Sequence, residues 1–488
     1  MTAAPAFLPL SQREPFGLQG DSSGVTHLSP GLETLPVRDP AGREIARVHG
    51  LILKGWMGPG LAFGGDHVRC TADVGTEAAL VRKLLHGLHG VFLLETTGAG
   101  PRRLHPDFAG GLPLVFDRRT GRFGSSASQI LSDTDYLSRF LADRHQRLVV
   151  KPGYGWIPGP LTAHADIVRL LPGHALDLET GAIRRVWPTA ADLEPGLPPD
   201  QAVEAVAEAL RGFIAAAAAE HAAALALTAG AESRLMLAAS RPVSAQLHYY
   251  TFDRDPRGPD QVLALEMAAA LGLRHHLLPL VEAPPEEQAC WDRMVGHTVR
   301  EYNRVTHPGM AAGPGTLNLN GMYGAAGKGH LYRREPDSVN SRPATPACIL
   351  GSLALPADPD LEAAVGAWLD ELGPLPRSIV LDLAYNELRG ACWGAAQAPA
   401  QKAMRLALTP LGQAVIQGAL MRTDPAARVA GRVQAALVER LWPELARWPL
   451  NRYGDWRDPL QWLRKLGNRR RVTRNARAAL AAFTGGPR

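Results

Sequence analysis

In the stretch Leu225-Ala226-Leu227-Thr228-Ala229-Gly230-Ala231-Glu232-Ser233-Arg234, an apolar run gives way to small residues and then to Glu-Ser-Arg. The pattern predicts a buried strand over 222–227, a tight turn from Thr228 to Glu232 and a helix opening near Ser233. Small residues let backbone N–H groups approach an anion closely, and a helix N-terminus adds partial positive charge. Thr228 and Ser233 bring hydroxyl donors suited to phosphate oxygens. Glu232 brings a hard oxygen ligand of the kind magnesium takes. The same residues also make an ordinary strand-to-helix turn with a serine cap. On these residues alone the phosphate cradle and the plain turn stand level.

Working outward, Asp200 is placed to cap a helix running to about Ala219. After the central turn come a strand over 246–252, a helix over 259–271 and a strand over 275–280. Strands alternating with helices predict a parallel sheet covered on both faces. Beyond about residue 285 the chain reads as mostly helical. Upstream, Leu193-Glu194-Pro195-Gly196-Leu197-Pro198-Pro199 reads as a linker. Before it, from about 46 to 187, short apolar runs such as Val91-Phe92-Leu93-Leu94 and Leu114-Val115-Phe116 alternate with Gly, Pro and Asp turns. Two short helices interrupt them, at 76–86 and 126–131. Residues 1–45, rich in Pro, Gly and Ser, read as irregular. The expected division is a domain over 1–190 and a second over 200–488.

A chain of 488 residues and 52.3 kDa exceeds one ordinary core, which agrees with two domains. Its hydrophobic fraction of 46% is that of a globular protein. The net charge of +5 is uneven: Arg464, Lys465, Arg469, Arg470, Arg471, Arg474 and Arg477 cluster near the C-terminus. No aromatic residue interleaves that cluster, so a solvated terminal helix is preferred over a nucleic-acid surface. The 4 cysteines, Cys70, Cys290, Cys348 and Cys392, form no CxxC pair, which fits a reducing compartment and no structural zinc. The most apolar run, 213–227, is broken by Glu220 and His221 and cannot span a bilayer. The expectation is a soluble, cytoplasmic protein with no membrane partner. The pairs His86/His89 and His275/His276 lack further ligands and read as packing or surface histidines.

Several of these stretches, taken in order, resemble the asparagine-synthetase superfamily. Thr228-Ala229-Gly230-Ala231-Glu232-Ser233 is similar to that family's pyrophosphate loop, Ser-Gly-Gly-x-Asp-Ser, and Arg234 follows it as in lasso-peptide cyclases. Tyr250-Thr251-Phe252, Asp260 and Leu271-Gly272-Leu273-Arg274-His275-His276 resemble its next strand, helix start and Leu-Gly-x-x-His ending. Asp107 to Phe116, Ser125 to Leu131 and Leu171 to Leu178 look like its amidotransferase-like half. Beta-lactam synthetases are further relatives. The resemblance implies an N-terminal Ntn-hydrolase-like β-rich sandwich. It also implies a C-terminal adenine nucleotide alpha hydrolase-like (PP-loop) parallel-sheet domain with a helical end.

It further implies ATP and Mg2+ as cofactors. A carboxylate substrate would be activated as an acyl-adenylate with release of pyrophosphate, and an amine would close an amide; a peptide is one candidate substrate. Leu227, Thr228, Ala229, Gly230, Ala231, Glu232, Ser233 and Phe252 would hold the nucleotide, Glu232 the metal, and Glu301 and Lys328 the catalytic roles. Read by themselves, Glu301 is equally a surface helix position and the Asn320 to Lys328 stretch a flexible loop. Four departures from the family stand out. No Cys precedes Cys70, so no glutaminase activity is expected. Glu232 replaces Asp, one methylene longer. Ala325 stands where the family's second acid is expected, leaving Lys328 to meet phosphate directly. Arg452 stands nearest the place of a catalytic Lys, and Arg does not substitute freely in proton transfer. The competing expectation is a catalytically degenerate scaffold or binding protein that keeps the fold.

Overall fold

The run Gly90–Thr96 is buried at every position, with Val91 and Leu93 entering one apolar cluster and Phe92 and Leu94 another. A strand covered on both faces needs two layers around it, and a computed structural model shows them. The structure describes residues 14–98, 100–150, 155–280, 283–299, 314–402 and 405–461. The N-terminal strands are β1 (Leu18–Asp21), β2 (Gly24–Leu28), β3 (Glu33–Arg38), β4 (Glu44–Ile52), β5 (Leu61–Phe63), β6 (Val68–Cys70) and β7 (Gly90–Thr96). They continue with β8 (Arg103–Pro106), β9 (Leu114–Asp117), β10 (Phe123–Gly124), β11 (Ile167–Leu170), β12 (His174–Asp177) and β13 (Ile183–Arg185). One sheet has the order β11-β9-β10-β1-β2 and a second the order β13-β12-β8-β7-β4-β3-β6-β5.

The two sheets share one apolar layer, in which Leu18, Leu114, Phe116 and Phe123 meet Leu51, Val91, Leu93 and Leu104. On the other face of the second sheet, Val37, Val48, Phe92 and Leu94 cluster with Leu80, Val81, Leu84 and Leu85 of the Glu77–Gly87 helix. Thr76 caps that helix, its side chain accepting from Ala79 N.

The reading of residues 1–45 as irregular is corrected, because β1, β2 and β3 lie there. The Gly and Ser residues that suggested loops occupy the turns between them. In the β1–β2 hairpin, Ser23 donates to Asp21 Oδ1 from its backbone N at 2.8 Å and from its hydroxyl at 2.6 Å, and Gly24 takes φ +110°.

The C-terminal part holds a third, wholly parallel sheet of order β16-β15-β14-β17-β18. Its strands are β14 (Ala223–Ala226), β15 (His248–Asp253), β16 (His275–Pro279), β17 (Leu317–Leu319) and β18 (Leu406–Leu408). The Pro199–Glu220, Ala231–Ala239 and Pro259–Leu271 helices share an apolar cluster with Leu225, Tyr249 and Leu317 of this sheet. The first of these begins at Pro199, with Pro198 in the capping position and Asp200 inside the first turn. β17 and β18 are short strands within the region beyond 285 that reads as mostly helical, and they had no place in that reading. Three-residue strands carry too few positions for a period to declare itself.

The described residues thus form a mixed α/β protein with three sheets, one of them parallel. No helix among the described residues is long and apolar enough to cross a membrane. The halves are tied together by buried polar contacts: Arg185 donates to both carboxylate oxygens of Glu387 at 3.0 and 2.6 Å, and Tyr323 Oη donates to Ala109 O at 2.6 Å.

Candidate functional site

From β14 the chain adds β15 and β16 on one side, then crosses back to place β17 and β18 on the other. Loops leaving the carboxyl ends of β14 and β17 therefore diverge, and a crevice at such a switch point is where open α/β sheets take ligands. The two loops are Leu227–Gly230, after β14, and Asn320–Lys328, after β17.

The helix after β14 begins at Ala231, two residues earlier than predicted, so Glu232 and Ser233 lie in its first turn. Gly230 is in the capping position and no side chain caps the helix. The N–H groups of Ala231, Glu232 and Ser233 lack intrahelical acceptors by helix geometry. The two hydroxyls are used within the loop. Thr228 Oγ1 and Ser233 Oγ lie 2.8 Å apart, Gly230 N donates to Thr228 Oγ1 at 3.1 Å, and Thr228 N donates to Ser233 Oγ at 3.2 Å. Ser233 Oγ is also 3.1 Å from the carbonyls of Thr228 and Gly230. Ala229 is held on both sides: its N–H donates to Asp260 Oδ1 at 3.1 Å, and its carbonyl accepts from Asn451 N at 3.0 Å. The loop is thus a braced turn before any ligand arrives.

Across the crevice, Lys328 Nζ forms an ion pair with Glu232 Oε1, joining loops 96 residues apart in sequence. The two side chains are 30% and 27% exposed, so the pair sits at the lip of the crevice rather than in the core. Close approach of the loops depends on glycine. A Cβ at Gly321 would lie 2.8 Å from Glu232 Cβ, and one at Gly324 only 2.4 Å from Glu232 Cγ. Around the pair stand His330 and Tyr385, their rings 5.6 Å apart, with Arg333 and Arg389 bearing on His330. Burial, reinforced by Arg333, Arg389 and Lys328, lowers the His330 pKa to about 4, so this imidazole is neutral at pH 7.

The magnesium expected at Glu232 does not fit these residues as they stand. The one loop carboxylate already holds an ammonium group, and the facing loop, Asn320 to Lys328, contains no acid. Among the described residues no group of three or more His, Cys, Asp or Glu could hold a metal ion.

The remaining positions divide. Leu227 is fully buried in the main core, so its side chain turns away from the crevice. Phe252, half-buried at the end of β15, lines a cavity of about 320 Å³ with Asp260 and Asn451. Ala231 borders a separate apolar groove of about 540 Å³ beside the Arg432–Leu441 helix. Glu301 and the basic C-terminal cluster lie outside the described residues. Arg452 is exposed. His89 is buried, which lowers its pKa to about 4, and His275 and His276 hydrogen-bond Thr251 Oγ1 and His248 at 2.9 and 3.0 Å.

Asp260, Asn451 and Arg234 had no site role in the sequence reading. Arg234, 2% exposed, donates to the carbonyls of Leu445, Trp448 and Pro449 at 3.0, 2.8 and 3.3 Å. That brings the segment carrying Asn451 back onto Ala229. Of the three, Asp260 was visible as an acidic helix start and Arg234 as the residue following the loop, while Asn451 gave no signal. A scan against protein-family models and a search of curated proteins found no match to this chain.

Proposed function

We propose that the chain is an ATP-dependent amide-bond-forming ligase. In this reading it activates a carboxylate as an acyl-adenylate, releases pyrophosphate, and takes its amine from outside rather than from its own glutamine hydrolysis. The N-terminal sandwich is then a degenerate amidotransferase-like (Ntn-type) domain and the C-terminal part a PP-loop domain. The observation that carries the reading is the position of the braced Thr228–Ser233 turn at the switch point of a parallel sheet, with a lysine facing it.

Each residue then has a task. The first-turn N–H groups of Ala231, Glu232 and Ser233 receive the pyrophosphate moiety, and helix polarity favours that charge. Thr228 and Ser233 hold the turn open in shape, with Gly230 and Ala229 allowing close backbone approach. Lys328 meets phosphate oxygens and offsets the charge that develops on the leaving pyrophosphate. Phe252 and the cavity it lines, with Asp260 and Asn451, lie where the nucleoside would rest.

The test is carboxylate-dependent exchange of labelled pyrophosphate into ATP across a panel of amino acids and peptides. Exchange that is lost in Lys328→Gln supports the reading. Absence of exchange and of ATP binding would leave the chain as a scaffold that keeps the fold. The observation favouring that second reading is that Lys328 occupies the only carboxylate of the loop.

A further inference from the structure

The charges at the crevice do not balance around a metal. Glu232 is paired with Lys328, while Arg333 and Arg389 bear on His330 and Arg389 also on Tyr385, whose ring lies 5.6 Å from that of His330. Arg389 lies over the rings of Trp156, Tyr385 and Trp393, and its guanidinium has no carboxylate partner among the described residues. The one carboxylate of the loop thus already has a cation, and two further cations bear on the His330 ring beside it. The facing loop runs close to Glu232 because Gly321 and Gly324 carry no Cβ: one there would lie 2.8 Å from Glu232 Cβ and 2.4 Å from Glu232 Cγ.

We propose that Lys328 takes the place of a divalent metal here, so that the crevice binds a polyphosphate group without magnesium. This rests on the phosphate-binding reading of the loop and adds what neutralises the ligand. The ammonium carries its charge on a flexible stem and needs no octahedral shell, whereas magnesium keeps several waters and requires carboxylate or phosphate oxygens at fixed positions. On ligand binding Lys328 leaves Glu232 for a phosphate oxygen. Glu232 therefore competes with the ligand for Lys328, the opposite of the effect of a metal-holding carboxylate.

That difference in sign makes the proposal testable. Calorimetric titration of the full chain with inorganic pyrophosphate, and separately with ATP, is carried out with EDTA and with excess magnesium. Wild type is expected to bind in EDTA about as well as with magnesium. Lys328→Gln is expected to lose at least about tenfold in affinity, the effect of one charge-assisted hydrogen bond, and Lys328→Arg to restore part of it. Glu232→Gln is expected to bind as tightly as wild type or more tightly. Unchanged thermal unfolding of the three variants separates these effects from misfolding.

Binding that requires magnesium and is lost in Glu232→Gln would overturn the proposal while leaving the ligase reading intact. Pyrophosphate binding without ATP binding would keep the lysine assignment and remove the nucleotide. Failure of both ligands under both conditions would remove the phosphate-binding reading and this proposal together.

Discussion

Arg234→Met isolates the contact that holds the C-terminal segment against the phosphate loop. Arg234 is 2% exposed, and its guanidinium faces three carbonyls, those of Leu445, Trp448 and Pro449, with no carboxylate partner among the described residues. Burial without a counter-charge lowers its pKa to about 10, still far enough above neutrality to keep the cation. Three hydrogen bonds from a charged donor are worth about 1.5 kcal/mol each. Methionine returns part of the desolvation cost of the cation but leaves the three carbonyls without that donor, for a net loss of about 3 kcal/mol. With about 2 cal/mol/K of unfolding entropy per residue, a chain of this length has about 1 kcal/mol/K, so Tm should fall by about 3 °C. Circular dichroism melts of wild type and variant at one scan rate measure it. Pyrophosphate affinity should fall as well, since Asn451 N would no longer be held on Ala229 O. Arg234→Lys should sit between the two, because an ammonium cannot span three carbonyls as the guanidinium fork does. A variant with unchanged or higher Tm would refute the claim that these bonds outweigh the cost of the buried charge.

Three further outcomes follow from other buried groups. Burial lowers the Lys402 pKa from 10.5 to about 8, against the opposing charge of Asp107. The folded state thus loses this proton near pH 8 while the unfolded chain keeps it to about 10.5, so the site's contribution to stability rises with pH across that window. Lys402→Met should abolish that rise, read from urea midpoints at pH values on either side of it.

Asp382 is buried against Arg428 and Tyr332, and desolvation raises its pKa to about 6. Arg428→Met should cost about 3–5 kcal/mol above that pH and less below it, where the carboxyl is protonated; an equal loss at both would sink the assignment. Gly324→Ala places a Cβ 2.4 Å from Glu232 Cγ and should cost about 1–3 kcal/mol. Gly418→Ala, with open space at its Cβ, should be neutral or stabilising by up to about 1 kcal/mol. Chemical denaturation of the pair checks this.

Local signals carried much of the C-terminal fold. The helix Pro259–Leu271 has the bounds the sequence indicated, because Pro259 suits the first helical position and Gly272 takes the left-handed conformation, φ +63°, at its end. The alternation of strand and helix from 200 to 280 was legible for the same reason: each element spans enough residues for its period to register. The hairpins of the first 45 residues were hidden because strands of four to six residues lay among turn formers that dominate the composition. β17 and β18 were hidden by their length, and their place beside β14 is a long-range pairing that no window of sequence contains.

At the candidate site the sequence alone determined that a small-residue turn bearing Thr228, Glu232 and Ser233 opens a helix after a strand. Only the tertiary structure decided what those side chains do. Ser233 and Thr228 brace the turn, Leu227 faces the core, and Glu232 meets Lys328. The reason is range: a turn is fixed by the conformational preferences of a few neighbouring residues. The partner of a charge is fixed by the order of strands in a sheet, which brings residues 232 and 328 to the same lip of one crevice.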